Sequence, residues 1–344
     1  MQGNIQTQKD VVRYAPDLVG LSFTTPHYAQ AMNLAEYFRR TLNPTLVAGG
    51  AHPTAVNPEE LLGVFDTVVQ GEGEVAFSKI LNGEEREVFK EPYVSDVDAL
   101  PQPAWDMIDM ERYNMDWDGN RATTLFSSRG CPYNCSFCSK DVWGRVLRQH
   151  SPKRVVDEMD YLFKNYGIGH FYFYDDTFTA DKRRVRGIVD EIFDREAEDV
   201  YRWKIITRAD TVDQELLHYM HDGGCREVSF GIEHADDDSL GILNKGMTVG
   251  DNVRAVTQAK NAGMKVKGFF IIGLPYDSPM KIVDTVNLAK DLDLDHALFS
   301  VMMPYPGTNM YRYPERYGIE LDKSIRYGDW LQYAGYNTAN CYGH

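Results

Sequence analysis

From residue 122 onward the chain repeats one cadence. Short runs rich in β-branched and aromatic residues stand at 122–128, 170–176, 202–208, 227–233, 266–273 and 296–303, and stretches with apolar residues at helical spacing intervene at 152–165, 181–194, 213–222, 250–262 and 278–291. A strand followed by a crossover helix is succeeded by a strand parallel to it, so the cadence argues against all-helical and meandering antiparallel folds. Two of the helices carry explicit start signals, Ser151 ahead of Pro152 and Asp213 ahead of Gln214 and Glu215. Each offers a side-chain oxygen to N–H groups that a first helical turn leaves unpaired. Six units fall short of the eight that close a TIM barrel, so the expected fold is α/β, with a partial (β/α)6 TIM-type barrel over 122–304. In such barrels the chemistry sits at the C-terminal ends of the strands.

The residues before the barrel show the same alternation in miniature. Apolar runs at 18–23, 45–50 and 67–71 read as strands, 28–40 has helical periodicity, and 57–63 has a helix-start pattern. This is a small, incomplete doubly wound, Rossmann-like parallel β/α domain over 1–83. Prolines and aspartates without periodicity make 84–121 a linker, and the tyrosine-rich segment 305–344 is expected to pack on the barrel as a tail.

With 51 acidic against 36 basic residues the net charge is −15. That balance argues against nucleic acid as a partner, because phosphate contacts need concentrated Lys and Arg. The basic run "DKRRVRG" at 181–187 is expected to open a helix and to solvate its outer face. No apolar run is long enough to span a bilayer. Five cysteines, an odd number without a leader pattern, point to a reducing compartment, and the cytoplasm is the expected location.

Three of those cysteines, Cys131, Cys135 and Cys138, fall within "SSRGCPYNCSFCSK", directly after the first barrel strand. Three soft thiolates so close can share one metal centre, either zinc or an iron–sulfur cluster. A structural zinc takes four protein ligands, and no fourth Cys or His stands at a matching offset. Cys225 reads as a buried small apolar residue, and Cys341 stands three residues from the end of the sequence. The set therefore looks like a site with one open position.

With Phe137 just before its last cysteine, the CxxxCxxC loop resembles the signature of the radical S-adenosylmethionine (SAM) superfamily. The resemblance implies a [4Fe–4S] cluster on Cys131, Cys135 and Cys138, with Phe137 beside it and the remaining iron chelated by the amino and carboxylate groups of SAM. Reduction then breaks the sulfonium, and a 5′-deoxyadenosyl radical takes a hydrogen atom from substrate. "HFYFYDDTFT" (170–179) resembles the second-strand motif, which assigns the SAM amino group to Asp175 and Asp176 together. Adjacent carboxylates also suit acid–base work, which makes Asp175 a candidate catalytic residue. "WKIITRAD" (203–210) is similar to the segment whose Arg, here Arg208, approaches the SAM carboxylate, and "SFGIEHADD" (229–237) gives Glu233 the ribose. "GFFIIGLP" (268–275) resembles the fifth-strand motif, where Gly268 and Gly273 would let backbone approach adenine. Tyr305, in "MMPYPGT" after the sixth strand, is the second candidate catalytic residue.

The N-terminal runs "VGLSFTT", "VAGGAHPT" and "VVQGEGE" resemble, in shortened form, the cobalamin (B12)-binding domain that precedes the barrel in one radical SAM class. That likeness places the corrinoid's nucleotide tail near Ser22, Thr24, Gly49 and Gly50, and it leaves His27 and His52 as turn or surface residues rather than axial ligands. Two enzyme readings follow. One is a cobalamin-dependent methyltransferase acting on an unactivated centre of a small molecule or peptide. The other is a cobalamin-independent radical enzyme catalysing rearrangement, cyclisation or oxidation, with the N-terminal layer kept for packing or substrate binding. Both imply an electron donor such as flavodoxin or ferredoxin. A non-enzymatic metal-binding protein ranks last, since the strand-end motifs would have no purpose in it.

Overall fold

The computed structural model describes residues 5–113, 115–321 and 339–341, with side chains over 8–113 and 115–321. Its contacts divide the chain into two compact units, and two excursions, 136–144 and the described part of the tail from 303 to 321, group with the N-terminal unit. The sequence reading instead has that tail on the barrel. The rest of the tail up to 338 lies outside the described residues.

In the N-terminal unit, α1 (Ile5–Tyr14), β1 (Leu18–Ser22), α2 (Tyr28–Thr41), β2 (Thr45–Gly49), α3 (Ala51–Ala55), β3 (Thr67–Gln70), α4 (Gly73–Leu81) and β4 (Val88–Lys90) follow in order. The four strands form one parallel sheet in the order β1-β2-β3-β4. Alternation puts Leu46, Ala48 and Val68 against α2, packed on Ala31, Ala35 and Phe38. Val47 and Val69 face the other way, onto Ala76 of α4 and Phe89. Both faces of the sheet are thus covered, as parallel sheets require.

Two local readings need correction here. At 57–63 the start signal works, with Asn57 accepting from the Glu59 N–H, but it opens only a 3-10 turn at Pro58–Glu60; the helix of this crossover is α3. Strand β4 lies inside the presumed linker, too short at three residues for a periodic signal and held by pairing to β3.

The second unit holds an eight-stranded sheet: β5 (Met115–Trp117), β6 (Asn120–Leu125), β9 (His170–Phe173), β10 (Arg202–Thr207), β11 (Cys225–Glu233), β12 (Lys265–Ile272), β13 (His296–Val301) and β14 (Ala339–Cys341). A two-residue ladder, β7 (Ser128–Arg129) with β8 (Arg148–Gln149), flanks the cysteine loop. Strands β6, β9, β10, β11, β12 and β13 are all parallel, giving the six-unit partial barrel, while β5 and β14 cap its two edges antiparallel. The β5–β6 hairpin turns on Asp118 and Gly119, both at positive φ, so the Asp-Gly pair in "WDGN" was a readable hairpin signal. Helices α5 (Pro152–Tyr166), α6 (Lys182–Asp194), α7 (Gln214–Asp222), α8 (Asp237–Ile242), α9 (Val249–Asn261) and α10 (Pro279–Asp291) cover one face. Ser151 and Asp213 cap α5 and α7 through bonds from Arg154 N and Leu216 N. The core between sheet and helices is built on Phe171, Phe173, Trp203, Val228 and Phe230 from the strands and Met159, Ile188 and Leu216 from the helices.

Candidate active site

Arg208 stands at the end of β10 with almost no solvent exposure. Its guanidinium grips Asp210 in a two-pronged ion pair at 2.9 and 2.7 Å, donates to the Lys245 carbonyl at 2.7 Å and stacks 3.8 Å from the centroid of Tyr133. Its remaining nitrogen reaches Cys135 Sγ at 3.7 Å. The fork is locked by three partners, so positive charge is held against the loop sulfur rather than left to wander.

Asp175 and Asp176 part company. Asp175 is buried, and its carboxylate accepts from Ser127 N at 2.6 Å, Ser127 Oγ at 2.5 Å and Ser128 Oγ at 2.8 Å, the residues that lead into the cysteine loop. Burial pushes its pKa up, while Arg184 and the serine donors pull it back. Asp175 therefore clamps the loop's entry from a buried position, whereas the Asp176 side chain is exposed. The two follow the end of β9 at Phe173, where the chain enters a turn at Asp176, so the neighbours have different surroundings. Arg184 corrects a second reading: it is buried within the supposedly solvated basic run, donating to Ser127 O at 2.6 Å and His150 O at 2.8 Å. Cys131, also buried, lies 3.5 Å from Thr177 Oγ1.

Glu233 ends β11 at φ +68, a conformation few side chains accept, and is held there by Lys245, whose Nζ lies 2.6 Å from Glu233 Oε1. A Cβ on Gly231 would fall 2.5 Å from that oxygen and 2.6 Å from that nitrogen, so the glycine makes room for the pair. Next to Glu233, buried His234 receives the Asp236 N–H on Nδ1 at 3.2 Å, which leaves Nε2 facing Asp277 Oδ1, also at 3.2 Å. The other Asp277 oxygen accepts from Gly273 N at 2.8 Å and Leu274 N at 2.9 Å. Gly273, at φ +77, thus belongs to a braced strand end. Gly268 does not: a Cβ there would meet Leu294, Phe270 and Ile232 at 2.7–2.9 Å, so it is a packing glycine beneath the helices and not an approach to adenine. Lys245, His234 and Asp277 escaped the sequence reading; "EHADD" held the histidine, but its partner lies 43 residues away.

In the N-terminal unit, the far end of the cysteine loop is anchored. Buried Ser136 accepts from Met310 N at 3.1 Å, and Asp141 takes both its contacts with Arg312 at 2.7 Å while its carbonyl accepts from the Tyr93 hydroxyl at 3.0 Å. Gly307, at φ +89, has no room for a side chain because Ser139, Asp141 and Ala55 crowd it. Phe137 and Cys138 are half-buried in this segment. Tyr305 is half-buried too, its carbonyl accepting from Thr308 Oγ1 at 2.7 Å, and burial pushes its phenol pKa up.

At the C-terminal edge of the small sheet, Ser22 and Thr24 are exposed and Gly49 and Gly50 are half-exposed. Gly50 sits at φ +95, where a Cβ would stand 2.7 Å from Ser22 Oγ and 2.9 Å from Phe23 N, so the glycine pair draws the ends of β1 and β2 together. Thr24 Oγ1 pairs with His27 Nδ1 at 2.8 Å, which fits the turn role expected of His27. His52 is not a surface residue. It is buried between Phe23 and Tyr28, with Nδ1 3.0 Å from Thr25 Oγ1, and burial lowers its pKa to about 4.

The residues present fit the cofactors that these motifs imply. The donor set is three thiols on one loop with a guanidinium at one of them, the chemistry of a cluster rather than of a four-ligand zinc. Among the described residues no three His, Cys, Asp or Glu side chains converge as a ready-made metal site. At the small sheet, exposed hydroxyls and side-chain-free backbone beyond parallel strand ends are the usual seat of a ligand. Among the described residues no helix is long and apolar enough to cross a membrane.

Comparison with known proteins agrees with the geometry. Residues 125–309 match the radical SAM superfamily, and residues 2–81 match the B12 binding domain. A methyltransferase of Pyrococcus horikoshii, not further characterized, is 34% identical over 89% of this chain and 71% of its own length. An anaerobic magnesium-protoporphyrin IX monomethyl ester cyclase of Cereibacter sphaeroides is 28% identical over 92% of this chain, which spans 55% of that protein. Among solved structures, the radical SAM methyltransferase TsrM of Kitasatospora setae, with cobalamin and a [4Fe–4S] cluster bound, shares the fold at a TM-score of 0.74 and 19% identity over 89% of this chain and 65% of that one. The chain belongs to the radical SAM superfamily, in the class that joins a B12 binding domain to the barrel, and is an enzyme whose cofactors are a [4Fe–4S] cluster and SAM.

Proposed function

We propose that the protein is a cobalamin-dependent radical SAM methyltransferase that methylates an unactivated centre of a small molecule or peptide. The observation that carries this reading is that one chain pairs the three-thiol loop, with Arg208 against Cys135, with a parallel sheet whose Ser22, Thr24, Gly49 and Gly50 edge is open. Bound in these places, the cluster supplies the electron that cleaves SAM, and cobalamin supplies a carrier for the methyl group. Cys131, Cys135 and Cys138 are the cluster ligands. Arg208 holds positive charge beside Cys135 and toward the SAM carboxylate, and Glu233, paired with Lys245, accepts from ribose hydroxyls. Asp175 fixes the loop entry through Ser127 and Ser128, and Asp176, exposed beside it, is the carboxylate assigned to the SAM amino group. Tyr305, which follows the sixth parallel strand in the sequence, is the candidate to meet substrate. A reducing, cytoplasmic setting with a flavodoxin or ferredoxin donor suits the cluster.

The test is anaerobic purification and reconstitution with iron and sulfide, with and without hydroxocobalamin. Iron and sulfide in the ratio of a [4Fe–4S] cluster, SAM cleavage abolished by Cys135→Ala, and a retained corrinoid are the expected results. A preparation that takes up the cluster but no corrinoid overturns the cobalamin-dependent reading.

A further inference from the structure

Register separates the two faces of the barrel sheet. Phe171, Phe173, Trp203, Ile205, Val228 and Phe230 point into the helix-covered core, so the residues alternating with them line the opposite, inner face. Parallel pairing there sets Tyr172 beside Lys204, Lys204 beside Glu227 and Glu227 beside Lys265. One pleat nearer the catalytic edge, Ser229 is set beside Lys267. Glu227 is buried and Lys204 and Lys267 are half-buried there, and a charge withdrawn from water calls for a partner.

The partners do not balance. Lys265 is taken by Asp118 at 2.9 Å, and Lys204 lies 4.0 Å from Glu227 and 4.7 Å from the ring centroids of both Trp117 and Tyr172. Lys267, close enough to Lys204 to repel it, has its Nζ over Phe269 at 5.1 Å. No ion pair joins it to a carboxylate among the described residues. Lys267 is thus an ammonium group on the inner face without a carboxylate of its own among the described residues, in a chain whose net charge is −15.

We propose that Lys267, with Lys204 beside it, receives an anionic group of the substrate, a carboxylate or a phosphoryl group, on the inner face of the barrel. This rests on the reading of the chain as a radical SAM methyltransferase and names its substrate class. Lys267 shares a row with Ile206, two residues along β10 from Arg208, a span of roughly 7 Å, and Lys204 is four residues away, roughly 13 Å. The subsite therefore selects substrates that carry an anionic group, and it discriminates against compact neutral molecules.

The experiment is isothermal titration of inorganic phosphate and, separately, of succinate into the cluster-reconstituted full chain. The wild type is expected to bind at least one of the two, and which one identifies the anion class. Lys267→Met should weaken that binding at least about tenfold, Lys267→Arg should restore it, and Lys260→Met, which removes an equal charge from α9, should leave it unchanged. Should Lys267→Met fail to take up iron, Lys267→Gln replaces it. Affinity unchanged in the Lys267 variants, or no binding of either anion by the wild type, overturns the subsite. The titration needs no radical chemistry, so failure of methyl transfer in the same preparation counts against the activity alone.

Discussion

Lys245 Nζ and Glu233 Oε1 are 2.6 Å apart, both side chains are buried, and the pair fixes a residue at φ +68 on the catalytic edge of the barrel. Removing one partner leaves the other charge buried and unanswered. We expect Lys245→Met to destabilise the barrel by about 3–5 kcal/mol, and Glu233→Gln with Lys245→Met to recover most of that loss in denaturant melts. SAM affinity should stay depressed in the double variant. Full recovery of SAM binding there would mean that Glu233 serves only the fold.

Arg208 makes its contacts as a planar fork, which a lysine cannot reproduce. Arg208→Lys should keep the charge yet raise KM for SAM by roughly tenfold, about 1.4 kcal/mol. Steady-state assays that separate KM from kcat check this, and an unchanged KM would remove Arg208 from the SAM site.

Gly50→Ala would press a methyl group onto Ser22 and the Phe23 backbone at a φ that alanine disfavours. A stability loss of roughly 1–3 kcal/mol is expected, together with loss of corrinoid retention on gel filtration. Gly73→Ala, where a Cβ meets nothing within 4 Å, is the matched control and should retain corrinoid.

His52 gives the N-terminal layer a pH dependence of known sign. Burial lowers its pKa from 6.5 to about 4, so as pH falls through that window the unfolded chain takes up a proton before the native one does. Stability is present above 6.5 and declines toward pH 4, by as much as about 3 kcal/mol from this group. Urea melts of wild type and His52→Leu across that range should converge at low pH, and parallel curves would refute the assignment.

Much of this molecule is legible from local patterns. The period-2 runs and helical stretches from 122 onward announce six parallel strands, and the Ser151 and Asp213 caps appear where the sequence places them. The cysteine spacing marks the cluster loop because a tight loop and three thiols are local properties. Less visible were β4, which exists only by pairing with β3, and the single 3-10 turn at Pro58–Glu60, whose start signal is local but whose length is not.

What sequence alone determined is therefore the order of the elements, the loop that holds the thiols and the family-like residues at strand ends. Tertiary structure decided the surroundings of those residues. Asp175 and Asp176 read alike, yet one is buried on Ser127 and Ser128 while the other lies exposed where the chain turns after β9. Gly268 and Gly273 read alike, yet only one lies at the braced edge. Lys245 and Asp277 were silent because a buried charge is defined by the partner it meets, and that partner is fixed by folding rather than by neighbours in the chain.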